Sequence, residues 1–263
     1  MQRCASPRFS RSPCLLRPSC VVASVPPALS PAGAAHDVSP LAVTVRRASS
    51  SAELRAAASV RACAFFSYPA DRSPTAIAAH QRLRVDAAWE ALEAKTAGRD
   101  AAYKGVRVTA LIATRPRWED APEVALRRGL DGTCSLPAGS DEFVGSVVLA
   151  SLDLNRAPRL PSEELCTTVG DADKRAWLSN VATAPGARRR GLARALVRAS
   201  VREALADGAT HLFVHCLTSN TAARELYSAC GFEVDAEEAP LWAAKLNRPA
   251  RLLFAMELDH VQL

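Results

Sequence analysis

Between residues 177 and 232 two apolar runs alternate with two helical runs, and glycine and proline mark where most of them stop. Trp177–Thr183 reads as a strand and ends at Pro185-Gly186. Gly191–Asp207 reads as a helix: Leu192, Leu196, Val201 and Leu205 recur at four- and five-residue steps, and Gly208 stands just past its end. His211–Leu217 is apolar enough for a buried strand, and Thr221–Cys230 is a short helix stopped by Gly231. An amphipathic helix and a strand must each bury an apolar side against another element, so this alternation requires layered α/β architecture.

The remaining elements fit the same scheme. Thr75–Ala97 reads helical, with Val85, Ala88, Trp89 and Leu92 on one face and Gly98 after it. Val106–Ala113 and Phe143–Leu152 read as strands, and Arg251–Leu258 as a last one. Residues 116–141 and 155–175, rich in Pro and Gly, read as connecting loops. There is no internal repeat. No run approaches the roughly eighteen uninterrupted apolar residues of a membrane span. With 49% hydrophobic residues the chain is not wholly disordered.

Charge is unevenly distributed. The chain of 263 residues has a formal net charge of +6, which alone would suggest a nucleic-acid partner. Residues 1–62 carry eight arginines, no lysine, and only Asp37 and Glu53 as acids, so this run holds the whole excess. Residues 63–263 are then neutral, and no nucleic-acid partner is expected. An acid-free, Arg-, Ser- and Ala-rich start is the composition of an organelle transit peptide. Val21–Val25 is interrupted by Ser24 and followed by Pro26-Pro27, so it lacks the apolar core of a secretory signal. The expected organisation is a disordered transit peptide over 1–62, with Val60-Arg61-Ala62 as cleavage context, and one domain over 63–263. A disordered tail without an address is the alternative. Of the cysteines left after residue 62, none forms Cys-x-x-Cys or stands at zinc spacing from a histidine, so no metal site is expected.

The chemistry concentrates at Pro185-Gly-Ala-Arg188-Arg189-Arg190-Gly191-Leu192-Ala193, between a strand and a helix. Glycine admits close approach of a bulky anion, and a helix start carries unpaired N–H groups and partial positive charge. Together with three arginines they suit a pyrophosphate. No Gly-Lys-Ser/Thr follows to hold magnesium, and Gly-x-Gly-x-x-Gly is absent. A solvated basic helix start is the competing reading.

After the next strand come Thr218-Ser219-Asn220, then Ala223, Leu226-Tyr227 and Gly231-Phe232. Arg188-x-x-Gly191-x-Ala193 followed by Asn220-x-x-Ala223-x-x-x-Tyr227-x-x-x-Gly231-Phe232 resembles, in order and spacing, the paired motifs of the GNAT superfamily of N-acetyltransferases. The matched core is 176–232. Leu178–Thr183, Leu160-Pro161 and Arg248–Leu253 resemble the plastid-type members of plants and algae. Those members acetylate protein N-termini and lysines, so the resemblance favours chloroplast over mitochondrion.

The resemblance implies a mixed, mostly antiparallel α/β sheet flanked by helices, with two strands splayed to admit acetyl-CoA. It implies that Val181, Ala182 and Thr183 meet the pantetheine arm. The pyrophosphate would meet Arg188, Arg189, Arg190, Gly191, Leu192, Ala193 and Arg194, and Asn220, Thr221 and Ala222 would lie near the reactive end. Tyr227 then resembles the acid that protonates the departing thiolate, against a reading as a core tyrosine. Asn220 also suits a helix N-cap. No carboxylate lies between Trp177 and Thr183 to act as base. His215 is the candidate through water, and a satisfied core histidine is the other reading. Cys216 or Cys230 as an acyl carrier has no base placed for it. The acceptor is a protein or peptide amine, with a small-molecule amine as the alternative and a non-catalytic acetyl-CoA-binding module as the third reading.

Overall fold

The computed structural model describes residues 43–116, 130, 132–137, 145–160, 164–168 and 170–259. Its strands are β1 (Thr44–Arg47), β2 (Arg107–Pro116), β3 (Ser135–Leu136), β4 (Ser146–Arg156), β5 (Arg175–Thr183), β6 (His211–Leu217), β7 (Glu233–Glu237) and β8 (Arg251–Glu257). Its α-helices are α1 (Ser51–Phe65), α2 (Pro74–Thr96), α3 (Leu192–Ala206), α4 (Thr221–Ala229) and α5 (Pro240–Lys245). The strands form one sheet in the order β1-β2-β4-β5-β6-β8-β7, with β3 beside β4. Every pair is antiparallel except β5–β6, which α3 joins as a crossover. The mixed, mostly antiparallel sheet is as expected.

Alternation along the strands builds two cores. Leu111, Leu149, Leu178, Val214 and Phe254 pack beneath α3 with Leu192, Leu196 and Tyr227. Ala110, Ile112, Val148 and Ala182 point the other way and pack beneath α1 with Leu54, Ala57 and Val60. On that second face a smaller group, Leu160, Trp177, Phe213 and Leu253, covers the β5–β6–β8 region.

The expected domain start at 63 needs correction. Residue 62 lies inside α1, and β1 pairs with β2 from Thr44↔Thr114 to Arg47↔Leu111. Ala56, Ala57, Ala58 and Val60 are completely buried. Ser50 accepts from the Glu53 amide while the Glu53 carboxylate takes the Ser50 amide, a capping box worth roughly 1 kcal/mol. The alanines that resemble targeting composition allow α1 to lie close on the sheet. The folded domain therefore begins by residue 43; residues 1–42 lie outside the described residues. The arginines of residues 43–62 are not a diffuse basic tail either. Arg46 pairs with Glu53, Arg47 with Glu203, Arg55 with Asp86 and Arg61 with Asp153.

Other boundaries move less. The strand expected to start at Phe143 is described from Ser146 and runs on to Arg156; Phe143 and Val144 lie outside the described residues. β7 and α5 occupy a stretch for which the sequence predicted no element. Among the described residues, no helix is long and apolar enough to cross a membrane. No group of His, Cys, Asp and Glu suited to a metal occurs among them.

Candidate active site

β5 and β6 are paired only from Arg175↔His211 to Leu178↔Val214. Beyond that rung β5 continues to Thr183 and β6 to Leu217, each still held by its outer neighbour, β4 or β8. The strands thus part between residues 179–183 and 215–217. Two features adjoin this parting. Trp177 and Phe213 stack one rung before the last pair, ring centroids 4.6 Å apart, and the Trp177 indole donates to Ala157 at 2.9 Å. On the other edge β5 bulges: Ser151 faces Ala182 and Asp153 faces Ser179, so Leu152 is opposed by two residues, Asn180 and Val181. Asn180 takes the left-handed region at φ 53°. An asparagine tolerates that conformation better than most residues.

β5 leads into the arginine turn. Arg189 and Gly191 both have positive φ, 63° and 81°. Gly191 precedes α3, and a Cβ there would meet no protein atom within 4 Å. The first amide of the helical ladder is that of Ala195, donating to the Gly191 carbonyl at 2.9 Å. The amides of Leu192, Ala193 and Arg194 precede it without an intrahelical acceptor. Arg188 donates to the Ala64 carbonyl at the end of α1, at 3.3 Å. The buried Arg190 Nε has no partner among the described residues. Open space at Gly191, unpaired amides and an orphaned guanidinium nitrogen together fit a phosphate-bearing ligand such as acetyl-CoA.

The other expected residues divide between the two faces of the sheet. Val181 packs against the α3-side core and Ala182 against the α1-side core, so Val181-Ala182-Thr183 presents its main chain to the parting. Asn220 is the N-cap of α4: its side-chain oxygen accepts from the Ala223 amide at 3.1 Å. Thr221 and Ala222 are exposed on the first turn. Tyr227 is 4% exposed, on the α3 side, tilted against Phe232 and Phe254 with centroids 5.8 Å away. Burial pushes its phenol far above the ordinary range, and Cys216 and Cys230 beside it push the same way. His215 is half-buried on the opposite face, the same face as the buried Phe213 two residues before it.

Burial pushes the Cys216 thiol up to about 11, and the Cys230 thiol up as well. At neutral pH only about one Cys216 in ten thousand would be a thiolate, which argues against an acyl-cysteine route.

A polar group on β4 had no place in the sequence reading. Ser151, Asp153 and Asn155 are 0%, 1% and 1% exposed. The Asp153 carboxylate binds Arg61 of α1 and accepts from the Asn180 amide at 2.7 Å. Polar residues at every second position of an otherwise apolar strand were the available signal, together with the Ser50-x-x-Glu53 signature of a helix start.

Residues 108–232 match the sequence model of the Acetyltransferase (GNAT) family. GCN5-related N-acetyltransferase 7, chloroplastic, of Arabidopsis thaliana is 36% identical over 183 residues, which are 68% of this chain and 64% of that protein. The chain therefore spans a little under two thirds of the length of that relative. An N-acetyltransferase structure from Staphylococcus aureus Mu50 covers 83% of this chain and 100% of its own, at 15% identity and a TM-score of 0.48. The PaiA N-acetyltransferase of Thermoplasma acidophilum, solved with coenzyme A, covers 82% and 99%, at 10% identity and a TM-score of 0.46. Over residues 108–232 the chain carries a GNAT acetyltransferase domain.

Proposed function

We propose that the protein transfers the acetyl group of acetyl-CoA directly to amines of other proteins, N-terminal α-amines, lysine ε-amines or both, in the plastid. The observation that carries this reading is the parting of β5 from β6 beside the glycine turn at 188–194. An open strand edge offers main-chain hydrogen bonds to the amide-rich pantetheine arm, and the turn offers amides and arginines to its phosphates.

In this reading the acceptor nitrogen forms a bond to the acetyl carbon as the carbon–sulfur bond breaks. Tyr227 gives its proton to the departing sulfur. Burial keeps the phenol protonated and also makes it a weaker acid, so the proton moves only as charge builds on the departing sulfur. The acceptor amine must be neutral to attack, and its proton passes to His215 through water. Asp153 is not a candidate base, because both its oxygens are occupied. The Asn220 side-chain oxygen is committed to its cap, so its NH₂ is the group available to substrate. Most of the rate gain would come from positioning and from main-chain donors to the thioester carbonyl.

The plastid assignment rests on two supports. Residues 1–36 are acid-free and arginine-rich. The Arabidopsis relative is named as chloroplastic. In this reading the transit segment ends before β1 at Thr44.

The test is incubation of residues 43–263 with acetyl-CoA and a proteome-derived peptide library, read by mass spectrometry. Acetylated α-amines or lysines are expected. A folded protein that binds acetyl-CoA and acetylates no peptide, yet turns over with a panel of small amines, would sink the protein-acceptor reading.

A further inference from the structure

We infer that Arg61, Asp153 and Asn180 form a positioning lock that sets the shape of the open strand edge. The inference rests on the preceding proposal only for what that edge is used for.

Arg61 reaches from the last turns of α1 through the sheet-facing core. Its Nη2 donates to Asp153 Oδ1 at 2.6 Å, its Nη1 to Oδ2 at 3.2 Å, and its Nε to Ser151 Oγ at 3.1 Å. The two charged side chains are 7% and 2% exposed. Asp153 Oδ2 accepts a third bond, from Asn180 Nδ2 at 2.7 Å. Asn180 is the left-handed residue of the β5 bulge, so the chain of bonds runs from α1 through β4 to the backbone irregularity that frees residues 179–183. One turn of the pleat away, Asn155 Nδ2 donates to the Trp177 carbonyl and to Ser179 Oγ, both at 3.0 Å. Side chains from β4 thus hold β5 immediately before the bulge and at it.

Stability alone does not account for this arrangement. A buried ion pair costs so much desolvation that well-packed apolar residues of similar volume often serve the fold equally well. What apolar residues cannot do is direct a hydrogen bond at Asn180. A planar guanidinium gripping both carboxylate oxygens fixes the Asp153 rotamer, and that rotamer fixes where Asn180 sits. The parting of the strands is then held open at a set geometry before any ligand arrives, which is the preorganisation a positioned site requires.

The test is hydrogen–deuterium exchange on the ligand-free full-length protein, comparing wild type with the double variant Arg61→Met/Asp153→Leu. Exchange of residues 179–183 should quicken by about ten-fold or more while α3 and β6 keep their wild-type rates. Acetyl-CoA affinity should weaken by about ten-fold or more in the same variant. Unchanged exchange at 179–183 overturns the lock, and so does acceleration spread evenly through the sheet, which would make the pair a general stabilising element. Asn180→Asp, which tolerates the left-handed backbone and replaces the donor to Asp153 with an acceptor, gives the same readout should the double variant not fold. If wild type fails to bind acetyl-CoA while the local exchange result stands, the functional reading fails and the lock remains.

Discussion

Arg188, in the turn before α3, donates to the carbonyl of Ala64 at the end of α1, a contact between residues 124 positions apart. The candidate phosphate turn is therefore braced by the N-terminal helix, and α1 belongs to the machinery rather than to a leader. A chain beginning at residue 63 loses β1, most of α1, Arg61 and the capping box. It should lose cooperative thermal unfolding, whereas a chain beginning at residue 43 should melt as the full-length protein does. Circular dichroism melts of the two truncations decide the point; equal melting would return the domain start to 63.

Tyr227→Phe keeps the ring against Phe232 and Phe254 and removes only the hydroxyl. Turnover should fall by roughly 10²-fold, with acetyl-CoA affinity and melting temperature close to wild type. Because burial and the neighbouring thiols raise the phenol, wild-type activity should show no alkaline loss from this group up to its ordinary value of 10.0. Steady-state kinetics across pH check both; full activity in the Phe variant removes Tyr227 from the acid role.

Gly191→Ala forces a Cβ onto a left-handed residue, at a cost of roughly 1–2 kcal/mol. The same Cβ projects into the open space where a phosphate would approach. Acetyl-CoA binding by calorimetry should weaken by about ten-fold or more. Affinity equal to wild type would mean that phosphate does not approach the turn at this position.

Asn220→Ala removes the α4 cap and should cost about 1 kcal/mol in urea unfolding, while Asn220→Ser restores most of it. If Ser restores stability and not turnover, the free NH₂ of Asn220 serves substrate as well as the fold.

The acid limb of stability should involve Glu238. Burial alone would raise its carboxyl, but hydrogen bonds from Arg248 and Arg251 and their charges outweigh this and hold it below the ordinary value of 4.5. A carboxylate depressed in the folded state contributes stability above its unfolded value, and the contribution is lost as pH falls through the folded one. Wild type should therefore lose stability below about pH 4.5 more steeply than Glu238→Gln. Parallel acid limbs in urea midpoints would show that Glu238 is not coupled to folding.

Much of the local structure of the candidate site could be read in the residues. Gly191 and the Asn220 to Phe232 spacing carry strong local constraints, and the helices and strands around them terminate within a residue or two of where glycine and proline predicted. The N-terminal elements were obscured by composition. Ala56, Ala57 and Ala58 give α1 little contrast between faces, so periodicity could not mark it as core, although Ser50 and Glu53 announced its start. The Arg61–Asp153 pair was invisible for a different reason. Its partners lie 92 positions apart, and no local pattern links them. The bulge at Asn180 likewise depends on the register with β4, which a single strand's sequence does not contain.

The bracing of the site by its first elements has a consequence for assembly. Arg47 meets Glu203, Arg61 meets Asp153, and Thr44 lies beside Thr114. Each partner stands on the sheet or on α3, so the N-terminal segment has long loops to close and is expected to dock late. On that order the strand edge would take its final shape only as folding completes. A partly folded chain carries the sequence motifs of an acetyltransferase without the geometry to use them.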